Sequence, residues 1–234
     1  MRKNKVGIFG GSFNPIHLGH TALAAAICDR GLVDEVWFMV SPQNPFKVDE
    51  ELLDEQRRLA MVRLAVAGDE RLRASDFEFT LPRPSYTSVT LRALTDAYPD
   101  TEFSLIIGED NWDAFDRWHE ADYILKHHPI IVYPRADEDD GGRKTKNKKQ
   151  EAVAAQPRLV ANEVSDSSFV FSSGTAAISS EQSEPLFLTD APLLPVSSTL
   201  VRERLRQGLP VDDLVAPAVS HYLHANKLYL IDKL

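Results

Sequence analysis

Val6-Gly7-Ile8-Phe9-Gly10-Gly11-Ser12-Phe13-Asn14-Pro15-Ile16-His17-Leu18-Gly19-His20 is the stretch on which the fold turns. Its first residues, with Lys5, form an apolar run at about 5–10 that predicts a buried strand. Two glycines and an Asn-Pro pair then break the run, and Leu18-Gly19-His20 opens an alanine-rich segment that predicts a helix over about 18–29. A strand, a glycine-rich turn and a helix in that order are the opening unit of an α/β sheet.

Outward from this unit the alternation continues. Strands are predicted at 34–40, 103–107 and 129–133, with one more over Leu186-Phe187-Leu188. Helices are predicted at about 51–67, 86–97, 198–207 and 217–226, a short one begins near Glu109, and 71–79 is predicted to be extended. The runs Val36-Trp37-Phe38-Met39-Val40, Leu105-Ile106-Ile107 and Ile130-Ile131-Val132 are apolar without alternation, which suits strands covered on both faces. The expectation is an α/β fold: a doubly wound, Rossmann-like parallel sheet with helices on both faces, in a single domain over 1–234. Residues 136–185 break the pattern with an acidic run (Asp137-Glu138-Asp139-Asp140), a basic run (143–149) and a serine-rich stretch, and predict a flexible insertion in that domain. The neighbouring runs cancel in charge, so a solvated loop accounts for the lysines better than nucleic acid does.

The 234 residues are 43% hydrophobic and 26% charged, which excludes a disordered or fibrous chain. The net charge of −9 argues against broad binding to nucleic acid, where neutralised phosphates supply the affinity, but leaves room for a small anionic ligand. No run approaches the roughly 18 apolar residues of a membrane span, and the N-terminal apolar stretch is too short for a signal peptide. A single cysteine, Cys28, fits a reducing, cytoplasmic setting and a small buried hydrophobe.

Chemistry is expected beyond the carboxyl end of the first strand, where such sheets bind ligands. Gly10, Gly11, Ser12 and Phe13 would bring backbone N–H groups up to an anion at a helix N-terminus. His17 and His20, three apart, can present both rings to one side and serve phosphoryl chemistry. Either ring alone would be a cap or a satisfied polar group; the pair after a glycine turn favours function. Far along the chain, Ser197, Ser198 and Thr199 stand at another helix start and Arg202 one turn on, suited to a triphosphate. Lys126-His127-His128 is taken as loop rather than a metal site, and no metal ligand set is expected.

His17-Leu18-Gly19-His20 resembles the HxGH signature of the nucleotidylyltransferase superfamily, and the longer GGSFNPIHLGH is similar to bacterial nicotinate-nucleotide adenylyltransferases. Val196-Ser197-Ser198-Thr199-Leu200-Val201-Arg202 resembles the superfamily's ISSTxIR. Pro84-Ser85-Tyr86-Thr87-Ser88-Val89-Thr90-Leu91 and Ile106-Ile107-Gly108-Glu109-Asp110 followed by Trp118 resemble segments of the nicotinate enzymes, as does the proline-rich Ser41–Lys47 loop. The resemblance covers about 1–135 and 186–234. Asn14 stands where many members carry aspartate, and Val89 where a polar residue is common.

This resemblance implies adenylyl transfer from ATP to nicotinate mononucleotide, with Mg²⁺ carried by the ATP. His17, His20, Lys47 and Arg202 would handle the phosphates, and Gly108 and Asp110 the adenosine side. The pyridine ring would stack on Trp118, and its carboxylate would meet the helix start at Tyr86 and Thr87. A core aromatic is the plainer role for Trp118. The alternatives are a relative with another phosphorylated acceptor or a cytidylyl transferase, and a non-catalytic nucleotide sensor. A homo-oligomer is compatible with the sequence, which says nothing of assembly.

Overall fold

A computed structural model of the chain describes residues 2–42, 52–134 and 184–230. The chain runs β1 (Asn4–Gly11), α1 (Leu18–Asp29), β2 (Glu35–Val40), α2 (Glu55–Val66), β3 (Leu72–Ser75), α3 (Thr87–Ala97), β4 (Thr101–Gly108), α4 (Glu109–Asp113), α5 (Ala121–His127), β5 (Ile130–Tyr133), β6 (Leu186–Phe187), α6 (Ser198–Arg206) and α7 (Pro217–Ala225). The strands form one sheet in the order β3-β2-β1-β4-β5-β6, and every neighbouring pair is parallel. β1 and β4 are the central pair, and the strand order reverses there, β1 to β3 winding one way and β4 to β6 the other. That reversal opens the crevice in which a doubly wound sheet holds its ligand.

Successive strand residues go to opposite faces, and two cores result. In β4, Phe103, Leu105 and Ile107 pack with Val6, Ile8, Trp37 and Met39 against α3 and α5. Ile106 goes the other way, with Phe9, Val36, Phe38 and Val40, against α1, α2, α6 and α7. The predicted doubly wound parallel sheet is what forms.

Local signals set most boundaries. Asp54 caps α2 by accepting from the N–H groups of Gln56 and Arg57. Gly208 takes φ +70° just past α6, the left-handed position a glycine accepts without strain. Two readings change. The extended stretch 71–79 is strand only at 72–75, then a 3₁₀ turn over Phe77–Thr80. Lys126 and His127 end helix α5 rather than lying in a loop. His128 follows them, buried, with its Nδ1 3.1 Å from the Phe103 carbonyl. The expected insertion at 136–185 lies, except for its last two residues, outside the described residues, and so does Lys47.

Candidate active site

β1 ends at Gly11 and the chain turns under the sheet. Phe13 adopts φ +44°, a left-handed conformation that bulky residues rarely take, with its ring buried against Phe9 and Phe38. Gly11 permits this, because a Cβ there would stand 3.1 Å from the Phe13 ring. A Cβ on Gly10 would meet nothing within 4 Å, so there the bare backbone faces open space at a cavity edge.

Arg58 of α2, 1% exposed, braces this loop from behind. Its guanidinium donates to the carbonyls of Ser12 (2.6 Å), Ser41 (2.9 Å), Pro42 (3.3 Å) and Leu53 (2.8 Å). The loops after β1 and β2 are thereby tied to one side chain. Asn14, also buried, accepts at Oδ1 from the Leu53 N–H (3.3 Å) and the Tyr229 hydroxyl.

His17 caps the start of α1, and its backbone N–H donates to His20 Nδ1 at 3.2 Å. The two rings are stacked, with centroids 3.6 Å apart and planes 25° from parallel. The His20 ring also meets Phe9 and Phe13 edge-on at 5.8 and 5.2 Å. Desolvation pushes the His17 pKa down to about 4; burial, and then the charge on His17, holds His20 well below the ordinary imidazole range. Both rings are therefore neutral near pH 7. Since His20 Nδ1 accepts, its ring proton sits on Nε2, a neutral donor.

The second motif closes on the first. Ser197 caps α6 by accepting from the Leu200 N–H, and Ser198 Oγ donates to the Pro15 carbonyl at 2.7 Å. Arg202 donates to the Asn14 carbonyl at 2.8 Å and to Thr199 Oγ1 at 3.2 Å. Gly19 makes the contact possible: a Cβ there would stand 3.0 Å from Val196 and 3.1 Å from His17 Nδ1. The Ser198 hydroxyl is thus occupied in holding the loop and that of Ser197 in capping α6, while the N–H groups of Ser198 and Thr199 have no partner within the helix.

A cavity of about 460 Å³ opens at the carboxyl ends of β1 and β4. It gathers Gly10, Gly11, Tyr86, Thr87, Gly108 and Trp118 in one wall system. His17, His20, Ser12, Phe13, Arg202 and the Ser197–Thr199 hydroxyls are outside that wall; the His20 ring touches it through Phe9. Tyr86 precedes α3 without a side-chain cap, and the first turn of α3 holds no acidic residue, so its N–H groups stay open to an anion. Trp118 is half-buried and does two jobs, packing on Phe115 at 5.3 Å and lining the cavity. A Cβ on Gly108 would stand 2.6 Å from Asp110 Oδ1 and 3.3 Å from the Tyr133 ring, so a side chain there would displace Asp110. Asp110 itself is exposed and outside the lining, where Asn111 appears instead.

Sequence reasoning missed Arg58, Glu78, Arg117 and His119. His119 stacks on Tyr86 at 4.6 Å and holds Ser88 Oγ at 2.9 Å, fixing the Tyr86 ring at the cavity wall. Arg58 leaves one trace in sequence: it lies four residues before Val62, on the apolar stripe of its helix. Cys28 is buried, as expected. Among the described residues no three His, Cys, Asp or Glu side chains gather where they could hold a metal, and no helix is long and apolar enough to cross a membrane.

The profile of the Cytidylyltransferase-like family matches residues 8–204. The chain is 42% identical over 219 residues to the protein of Bacteroides fragilis (strain YCH46) named "Probable nicotinate-nucleotide adenylyltransferase", covering 94% of this chain and 90% of that one. A protein of the same name from Cytophaga hutchinsonii is 39% identical over 226 residues, 96% of this chain and 98% of that one. The solved structure of Plasmodium falciparum nicotinic acid mononucleotide adenylyltransferase complexed with NaAD matches with a TM-score of 0.66 over 97% of both chains at 16% identity, a likeness of fold. By profile and by relatives alike, the chain belongs to the cytidylyltransferase-like family and, within it, to the nicotinate-nucleotide adenylyltransferases.

Proposed function

We propose that the chain transfers the adenylyl group of ATP to nicotinate mononucleotide, giving nicotinate adenine dinucleotide and pyrophosphate. The observation that carries this reading is one cavity shared by the glycine loop of β1, the uncapped start of α3 and Trp118. A phosphate oxygen of the mononucleotide attacks the α-phosphorus of ATP in line, the bond to the β-phosphate oxygen breaks, and pyrophosphate leaves. A phosphate is already a competent nucleophile, so the protein's part is positioning and charge stabilisation. His20, through Nε2–H, and His17 would donate to the α- and β-phosphates. Arg202, Lys47 and the open N–H groups at the start of α6 would balance charge on the leaving group. Gly10, Gly11, Ser12 and Phe13 would shape the phosphate loop, and Gly108 with Asp110 would border the adenosine.

Magnesium would enter with ATP as the MgATP substrate, since the described residues offer no three-ligand cluster of their own. The pyridine ring would stack on Trp118 with its carboxylate on the N–H groups at Thr87. A helix start favours an anion by about 0.3–2 kcal/mol, so the acid should outrun the amide mononucleotide by up to roughly thirtyfold. Pyrophosphate release from MgATP with each mononucleotide tests this. Release with the acid well above the amide supports the reading, and no release with the acid overturns it. We take 136–185 as an insertion in a single domain; its deletion should leave that release intact.

A further inference from the structure

Glu78, in the 3₁₀ turn after β3, is 5% exposed and lines the cavity. Its Oε1 accepts from Thr90 Oγ1 at 2.9 Å, and Thr90 reaches back to the Tyr86 carbonyl at 3.3 Å. Its Oε2 is buried without a hydrogen-bond partner, and so is the hydroxyl of Ser85, another residue of the same wall. Buried polar atoms are nearly always partnered, so two orphans in one cavity wall point to a ligand that completes them.

The chemistry of the pair selects that ligand group. Burial raises the Glu78 pKa and the Thr90 hydroxyl bonded to Oε1 opposes the rise, so a partner that can both donate and accept suits Oε2 best. A hydroxyl does so, donating to the carboxylate or accepting from the acid, and it can serve Ser85 too. A phosphate or a second carboxylate suits only the protonated acid and is repelled by the carboxylate. With the pyridine ring at Trp118 and the phosphate at the β1 loop, the part of the acceptor between them is its ribose.

We propose that Glu78 Oε2 and Ser85 Oγ form a subsite for a ribose hydroxyl of the acceptor nucleotide. This rests on reading the cavity as the acceptor site. The test is steady-state kinetics of the full chain, E78Q and S85A with MgATP and nicotinate mononucleotide or its 2′-deoxy and 3′-deoxy analogues. E78Q should raise KM for nicotinate mononucleotide about tenfold and leave KM for ATP unchanged. On the analogue that lacks the engaged hydroxyl, the same substitution should cost less than about twofold, because the contact is already gone. S85A, which leaves the Thr90–Glu78 bond intact, should show the same pattern more weakly, and it carries the test if E78Q fails to fold. Equal losses on the parent and both analogues, or no change in KM for the parent, would overturn the subsite. Failure of the unsubstituted chain to use nicotinate mononucleotide at all would instead overturn the acceptor-site reading beneath it.

Discussion

On the side of the cleft proposed for the ATP phosphates, the loop from Gly10 to His17 is bonded from behind at one polar group after another. Arg58 holds Ser12, Tyr229 and Leu53 hold the Asn14 side chain, Arg202 holds the Asn14 carbonyl, and Ser198 holds Pro15. On the acceptor side, the start of α3 has no cap, and Glu78 Oε2 and Ser85 Oγ have no hydrogen-bond partner. The difference follows from the chemistry each half faces. Charge develops at the α-phosphorus, and donors there help only if they are already in place. The acceptor is selected by what it contributes, so that half keeps groups that a ligand must complete.

His20→Ala attacks the donor side at the proposed reacting phosphates. Turnover should fall about 100- to 1,000-fold while the melting temperature moves by a few degrees at most. Near-normal turnover would remove the histidines from the mechanism. Arg58→Met leaves four loop carbonyls short of a donor and should cost about 3 kcal/mol, or roughly 6–12 °C in melting temperature for a chain of this size. Ser85→Ala, its counterpart across the cleft, should barely change melting; equal shifts would erase the contrast. Trp118→Ala should raise KM for the mononucleotide about tenfold, as loss of one stacked ring does, with KM for ATP unchanged.

The smallest effect is one of pH. An unfolded histidine takes up a proton near pH 6.5, whereas folded His17 resists down to about 4. Between those values the unfolded state binds more protons, so stability falls as pH drops through the window and levels off above it. Thermal melts from pH 7 to 4 should show that slope, and His17→Gln should reduce it while His20 and His128, also held low by burial, keep the rest.

What could be read from sequence divides along the same line. The β1–α1 unit, the apolar central strands and the two motifs were legible because their signals are local: periodicity, glycines and caps. The meeting of Ser198 with Pro15 needed the resemblance, since 183 residues separate them. Arg58 lies on the apolar stripe of its helix, where an arginine carries no local signal of a role; the carbonyls of two distant loops make its burial tolerable. Glu78 falls between Phe77 and Phe79, where alternation in a strand would send it to the polar side. The 3₁₀ turn there rotates it into the cavity wall instead. Asp110 shows the converse, since its place in a matching motif did not put its side chain in the cavity lining.

The bond between Asn14 and Tyr229 spans 215 residues. During synthesis the loop at 10–17 leaves the ribosome among the first segments; Leu53 and Arg58 follow early, Ser198 and Arg202 much later, and Tyr229 last of all. A chain cut short after α7 would assemble its sheet with the last of these bonds, the one on Asn14 Oδ1 from Tyr229, unmade.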